Sequence, residues 1–183
     1  MHTLRLSLVG AVILMLLAGP GAGVVAGDEE AAASDRPHQV SGTSVLAGFV
    51  SVTRTVEEGR VMERGKKGRD TIEMDDARLC GTLWHVWDRD TFVGPNGPDG
   101  EVLTGTVQLV NDDGSWVGTM RGHVAYEALG RHHYWQLELT GTGVHDGLSA
   151  LLLVKGPPEM REVEGFVFPG VLPVYPDPVE VPR

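Results

Sequence analysis

The sequence predicts an all-β protein, an antiparallel closed barrel of roughly eight strands. Two observations predict this class. Glycine accounts for 25 of the 183 residues, about twice its usual share, and it separates short segments rich in β-branched and aromatic residues, which favour strands. Helical periodicity is almost absent between residues 43 and 168. About eight hairpin-connected strands can close into a barrel and so leave no exposed edge. A β-sandwich is the alternative.

The predicted strands alternate with residues that favour turns. Residues 111–114 (Asn-Asp-Asp-Gly) are typical of a tight hairpin, and residues 96–100 offer several positions that tolerate a positive φ. Residues 58–70 are interpreted as a charged loop because they hold five basic side chains, Arg60, Arg64, Lys66, Lys67 and Arg69. In chain order, strands are expected at residues 44–56, 71–74, 79–88, 102–110, 116–125, 132–140, 149–155 and 163–168.

Residues 1–26 have the pattern of a secretory signal peptide. Arg5 precedes an apolar run of 13 residues, 6–18, and small residues follow it, which is the order of regions in such a signal. The run is shorter than the roughly 20 residues of a membrane-spanning helix. We therefore expect a secreted protein that keeps no membrane anchor after cleavage.

The remaining chain divides into three parts. Residues 27–42 lack periodicity and are predicted to be a disordered leader, whereas residues 169–183 contain five prolines and are predicted to be an extended tail. The barrel domain is placed between them, at 43–168. Its single cysteine, Cys80, cannot form an internal disulfide, so stability is expected to come from packing.

The charge of the chain argues against several classes of partner. The formal net charge is −10, and cleavage after residue 26 would remove Arg5 and no acid, which gives −11. Such a chain has no basic excess to neutralise the phosphates of nucleic acids or anionic membranes. The turn at residues 141–143 (Gly-Thr-Gly) is not interpreted as a phosphate loop, because a strand and not a helix follows it. No cofactor is predicted.

The candidate ligand-binding residues are histidines and tryptophans on predicted strands: His85, Trp87, His123, His133 and Trp135. Side chains alternate between the two faces of a strand, so His133 and Trp135 should share the inward face. A tryptophan there could stack on a ligand or simply fill the core. No metal is predicted, because the histidines lack a local ligand spacing. The acidic cluster of Asp70, Glu73, Asp75 and Asp76 is interpreted as a solvated face.

Three segments, residues 104–109, 111–118 and 139–148, resemble the C-terminal half of the allene oxide cyclase and dirigent barrel superfamily, in which a hairpin pair precedes a Gly-Thr/Ser-Gly turn. The resemblance covers residues 79–156 and extends to small exported bacterial proteins of unknown function. It implies an eight-stranded barrel with an apolar interior cavity, and a homo-oligomer. The catalytic residues of neither family map onto this sequence, so no activity is carried over.

Three functions therefore remain open. The favoured hypothesis is a non-catalytic exported barrel that binds a small apolar ligand, because the sequence contains no catalytic constellation. The second is an isomerase or cyclase-like enzyme with His85, His133 or Glu127 as the polar group in an apolar pocket. The third is an oligomeric interaction protein.

Overall fold

Nine antiparallel strands and one 3₁₀ helix, Ala77–Leu79, form the part of the chain that the computed structural model describes: residues 36–50, 53–127 and 130–173. The predicted signal peptide, residues 27–35 of the predicted leader and residues 174–183 of the predicted tail lie outside these ranges. No helix within them is long and apolar enough to cross a membrane. The strands are β1 (His38–Val50), β2 (Thr53–Glu57), β3 (Arg60–Met74), β4 (Gly81–Gly94), β5 (Gly97–Val110), β6 (Gly114–Glu127), β7 (Gly130–Gly143), β8 (Leu148–Gly156) and β9 (Arg161–Pro169).

Eight of these strands form a closed ring, which confirms the predicted antiparallel barrel. The order around the ring is β1-β9-β8-β7-β6-β5-β4-β3, and β1 closes it by pairing with β3 from Gly42↔Met74 to Val50↔Lys67. The short strand β2 pairs with the first part of β3, from Thr53↔Arg64 to Glu57↔Arg60. The single strand predicted at 44–56 therefore corresponds to the end of β1 together with β2.

The charged loop predicted at residues 58–70 is wrong, because most of it belongs to β3. Its cations find partners across the strand pair with β4: Arg60 and Arg64 both bind the Asp90 carboxylate, the latter with Nη2 2.7 Å from Oδ1. Opposite charges on neighbouring positions of paired strands stabilise a sheet. A strand can thus carry a basic composition that, taken alone, is typical of a loop.

The predicted end of the disordered leader, at residue 42, is also wrong. Residues 38–42 belong to β1 and not to the leader, since they pair with β9 from His38↔Val167 onward. Val40 faces the interior and is 1% exposed. Strand β1 is hydrogen-bonded to β9 on one side and to β3 on the other. These pairings hold it as a strand, although its own sequence alternates only weakly between apolar and polar residues.

The two ends of the barrel differ. At one end lie the start of β1 and the turns that join β3–β4, β5–β6 and β7–β8; we call it the closed end because apolar side chains fill it. The 3₁₀ helix places Leu79 there. Trp116 Nε1 donates a hydrogen bond to the Arg78 carbonyl oxygen at 2.8 Å, and the Trp116 ring stacks on the His145 ring. Both Leu79 and Trp116 are fully buried. The opposite end, with the end of β1 and the start of β3, β5, β7 and β9, is the open end.

Candidate functional site

A cavity of about 170 Å³ lies inside the barrel at the open end. Strands β1, β3, β4, β5, β6, β7 and β9 all contribute side chains to its wall. The lining combines four cations, two imidazoles, three large aromatic rings and several apolar groups: Lys66, Arg89, Arg131, Arg161, His85, His133, Phe49, Trp87, Trp135, Leu46, Leu103, Val124 and Pro158. This mixture of charge and aromatic surface makes it the candidate ligand site.

The floor of the cavity is a buried ion pair. Arg161 Nη2 lies 3.0 Å from Asp70 Oδ2, and both side chains are 0% exposed. Ser44 donates its hydroxyl to the same carboxylate oxygen at 3.2 Å, and the Arg161 guanidinium lies 4.5 Å from the centre of a Trp135 ring. Burial lowers the pKa of Arg161 and the Asp70 charge opposes that shift. Two charges taken out of water in this way depend on each other.

The burial of Asp70 corrects the interpretation of the acidic cluster as one solvated face. Glu73 and Asp75 are exposed on the outer side, whereas Asp70 points inward. The even-numbered residues of β3 from Lys66 to Ile72 face the interior, which includes a lysine and an aspartate beside an isoleucine. A charge at an inward position is stable here only because β9 brings Arg161 to meet it.

His85 lies between two indoles above this floor. Its Nε2 is 3.5 Å from Asp70 Oδ1, and its ring centre is 4.5 Å from Trp87 and 6.3 Å from Trp135. Gly68 on β3 leaves the space for the imidazole, because a Cβ there would sit 2.5 Å from His85 Cε1. Neither ring nitrogen of His85 has a hydrogen-bond partner among the described residues.

His133 contacts the guanidinium of the floor. Its Nδ1 is 3.4 Å from Arg161 Nη1, and because an arginine can only donate, this contact assigns the imidazole proton to Nε2. Burial, reinforced by the Arg131 and Arg161 charges, lowers the pKa of His133 to about 3. The ring is therefore neutral at pH 7. Within the described ranges, neither its Nε2 nor the buried Nε1 of Trp135 has a hydrogen-bond partner.

A chain of ion pairs surrounds the mouth of the cavity. Arg89 bridges Glu63 and Glu101, and Arg131 Nη2 also binds Glu101, with 2.6 Å between Nη2 and Oε2. Lys66 Nζ lies 3.4 Å from Glu63 and 4.4 Å from the centre of the Phe49 ring. Burial and the Arg89 charge lower the pKa of Lys66, against the opposing effect of Glu63. Together with the floor, four cations here face three carboxylates.

The structure places the predicted site residues on two different faces. His85, Trp87, His133 and Trp135 line the cavity. His123 does not: it is exposed on the outer face of β6 and stacks on Tyr134 at 5.0 Å. The inward residues of β6 have even numbers and include Trp116, Met120 and Val124. Glu127 is also exposed, and it accepts a hydrogen bond from Tyr134 at 2.8 Å.

The sequence did not predict the charged half of the site. The residues it missed are Lys66, Asp70, Arg89, Arg131 and Arg161. Three of them had a usable signal, since Lys66 and Asp70 share a strand face with Ile72, and Arg161 shares one with Val163. For Lys66 and Asp70 the signal is visible only once residues 60–74 are treated as a strand.

A second, larger groove lies on the outer face of β4 and β5, beside the end of β1. Its volume is about 640 Å³, and its lining includes the exposed side chains of Trp84, Val86 and Val117. Lys67 and Gln108, which contribute its polar surface, are open to solvent. Most of the polar surface of this groove is therefore solvated, whereas the polar groups of the interior cavity are largely desolvated.

No family model, curated protein or solved structure matches this chain. In residues 36–50, 53–127 and 130–173, no group of three His, Cys, Asp or Glu side chains is placed to hold a metal ion. The function is therefore inferred from the chemistry of the cavity.

Proposed function

We propose that the protein is an exported, non-catalytic binding protein that holds a small organic anion in the open-end cavity. The observation that carries this proposal is the convergence of Lys66, Arg89, Arg131 and Arg161 on one pocket inside the barrel, in a chain whose net charge is −10. Export rests on the signal pattern of residues 1–26. The ligand predicted from sequence was apolar, and the proposal adds a negative charge to it.

The energetics of the pocket favour an anion with an apolar part. At about 5 Å and an effective dielectric constant of about 20, a unit charge on the ligand interacts with one cation by roughly 3 kcal/mol, and since three carboxylates pair with the four cations, the site has a surplus of one positive charge. Leu103, Val124 and Trp87 offer the apolar surface for the rest of the molecule. Polar groups that orient a ligand beside apolar surface that buries it are usual in a small-molecule pocket.

Calorimetric titration of the full chain with hexanoate and benzoate tests this proposal. We expect both acids to bind at least tenfold more tightly than their neutral counterparts, 1-hexanol and benzyl alcohol. Lys66→Met should weaken binding of the acids by about tenfold, the equivalent of one lost charge contact. Arg89 still pairs with Glu63 in that variant, so the mouth should keep its shape.

Lys67→Met is the matched control, because it removes the same charge from the outer face one residue away. Its affinity for both acids should equal that of the wild type. The proposal fails if neither acid binds, if the alcohols bind equally well, or if the two lysine variants behave alike.

The resemblance to allene oxide cyclase and dirigent barrels supports a ligand inside the barrel, and it remains a prediction. So does the homo-oligomer that it implies. The exposed Trp84, Val86 and Val117 would be the first surface to examine for contacts between copies.

Proton-transfer catalysis of the isomerase type is the second candidate function. It is favoured by one observation: His85 lines the cavity with Nε2 facing the Asp70 carboxylate at 3.5 Å. If the proton sits on Nε2, then Nδ1 keeps a lone pair and can act as a base, with the Asp70 charge 3.5 Å from the protonated nitrogen. Glu127, considered for this role from sequence, lies exposed and outside the cavity lining.

Long-range ¹H–¹⁵N NMR spectra at pH 7 distinguish the tautomers of His85. We expect Nε2 to be protonated and Nδ1 to be free, with the signal assigned by its loss in His85→Gln. Protonation on Nδ1 would remove the base from this candidate function. The anion-binding proposal does not depend on that result.

A further inference from the structure

The size of the open-end cavity limits its ligand to one ring. Its volume is about 170 Å³, and a protein cavity of roughly 150 Å³ is known to hold a benzene molecule. A six-membered ring with one small substituent fits such a space. A fused two-ring compound or a long acyl chain would have to leave part of its apolar surface outside.

The walls of the cavity are flat. His85 is tilted 39° to Trp87 with ring centres 4.5 Å apart, and His133 is tilted 32° to Trp135 at 4.8 Å. A pair of aromatic rings in offset or edge-to-face contact gains about 0.5–1.5 kcal/mol beyond the burial of its area. A planar ring therefore matches these walls better than a saturated ring of the same size.

Two buried hydrogen-bond donors in residues of the cavity wall have no acceptor among the described residues. Trp135 Nε1 can only donate, and the Nε2 of His133 carries the proton because Nδ1 faces Arg161. Both residues are 6% exposed, and among the residues described neither atom has a partner. Buried donors left without an acceptor are costly. Both nitrogens belong to residues that line the cavity, so a ligand carboxylate held against this wall is the acceptor that the described protein groups do not provide.

We propose that the anion is a single-ring aromatic carboxylate of about the size of benzoate. Its ring lies among Trp87, His85 and Trp135, and its carboxylate faces Lys66 and the free donors of the cavity. This inference rests on the proposed function and narrows it from organic anions to one chemical class.

Competition among four acids tests the class, with the full chain and calorimetric titration as readout. Benzoate is expected to bind with a dissociation constant on the order of 100 µM, as suits a ligand of so few atoms. Cyclohexanecarboxylate tests planarity, hexanoate tests the ring and 2-naphthoate tests size. Each should bind about tenfold more weakly than benzoate.

Trp135→Phe tests the donor, because it keeps an aromatic wall and removes the N–H. Benzoate should bind about fivefold more weakly to it. Trp84→Phe is the matched control on the outer face, where the indole is 49% exposed, and it should bind benzoate like the wild type. Thermal unfolding of both variants shows whether the barrel is intact, and benzoate should raise the melting temperature of the wild type and of Trp84→Phe by similar amounts.

The outcomes separate the two proposals. If hexanoate or cyclohexanecarboxylate binds as tightly as benzoate, the aromatic class is wrong and anion binding stands. Equal binding of 2-naphthoate overturns the limit to one ring, and equal weakening in both tryptophan variants overturns the role of the Trp135 donor. If no acid binds, both proposals fail.

Discussion

Asp70→Asn is expected to lower the free energy of unfolding by about 3–5 kcal/mol, the usual cost of removing one partner from a buried ion pair. The reason is Arg161, which is 0% exposed and has its closest charge contact in the Asp70 carboxylate, 3.0 Å away. The substitution keeps the shape of the side chain and leaves the guanidinium buried without its counter-charge. Urea denaturation at pH 7 measures the change, provided that the m-value stays constant.

A second variant separates the charge effect from a packing effect. Asp70→Asn combined with Arg161→Met removes both charges, so the double variant should be less destabilised than the two single changes added together. Glu73→Gln, at an exposed position of the same strand, should change the stability by less than about 0.5 kcal/mol. If Asp70→Asn costs no more than Glu73→Gln, the floor does not stabilise the barrel as described.

The stability of the protein should fall as the pH is lowered from about 6.5 towards 3, and His133 should account for part of that loss. Burial and nearby arginines lower the pKa of His133 to about 3 in the folded state, whereas the unfolded chain has an ordinary pKa near 6.5. Between these values the unfolded state binds a proton that the folded state does not. Stability is therefore complete above about pH 6.5 and decreases by at most about 1.4 kcal/mol per pH unit below it.

Denaturation curves of His133→Gln and the wild type at pH 7, 5.5 and 4 test this dependence. The variant cannot be protonated, so its stability should decline less steeply over this range. Burial acts to raise the pKa of Asp76, but hydrogen bonds from Arg78 and His38 outweigh burial and hold this pKa at about 2. The stability that Asp76 contributes to the protein is therefore lost only below about pH 4. His123→Gln, on the exposed outer face, should follow the wild type. Parallel profiles for His133→Gln and the wild type would contradict the prediction.

The strands and turns that were predicted correctly are those in which the pattern of apolar, polar and turn-forming residues matches the burial and the turns of the structure. In β7 the alternation of His133, Trp135 and Leu137 with polar residues indicated the inward face correctly. The hairpin turn at residues 111–114 follows from its Asn, Asp and Gly residues, and Asn111 Oδ1 there accepts from the backbone N–H of Gly114 at 2.8 Å. These features depend on neighbours in sequence, which a single sequence contains.

The cationic half of the cavity could not be predicted in the same way, because its stability depends on residues distant in the chain. Asp70 and Arg161 are 91 positions apart, and neither strand indicates by itself that it holds a buried charge. The beginning of β3 was missed for a related reason, since Arg60 and Arg64 are neutralised by Asp90 on the neighbouring strand β4. His123 was chosen for its residue type, and its position in the alternation placed it outside.

The ion pair at the floor lies between two parts of the barrel interior. Below it, Leu79, Trp116 and their apolar neighbours pack at the closed end. Above it, Leu103 and Val124 border the cavity and belong at the same time to the same buried core. A substitution at these two positions would therefore alter the ligand space and the packing of the core together. Phe49 borders the cavity but is exposed and lies outside that core, so it is a position where ligand choice can evolve with little effect on stability.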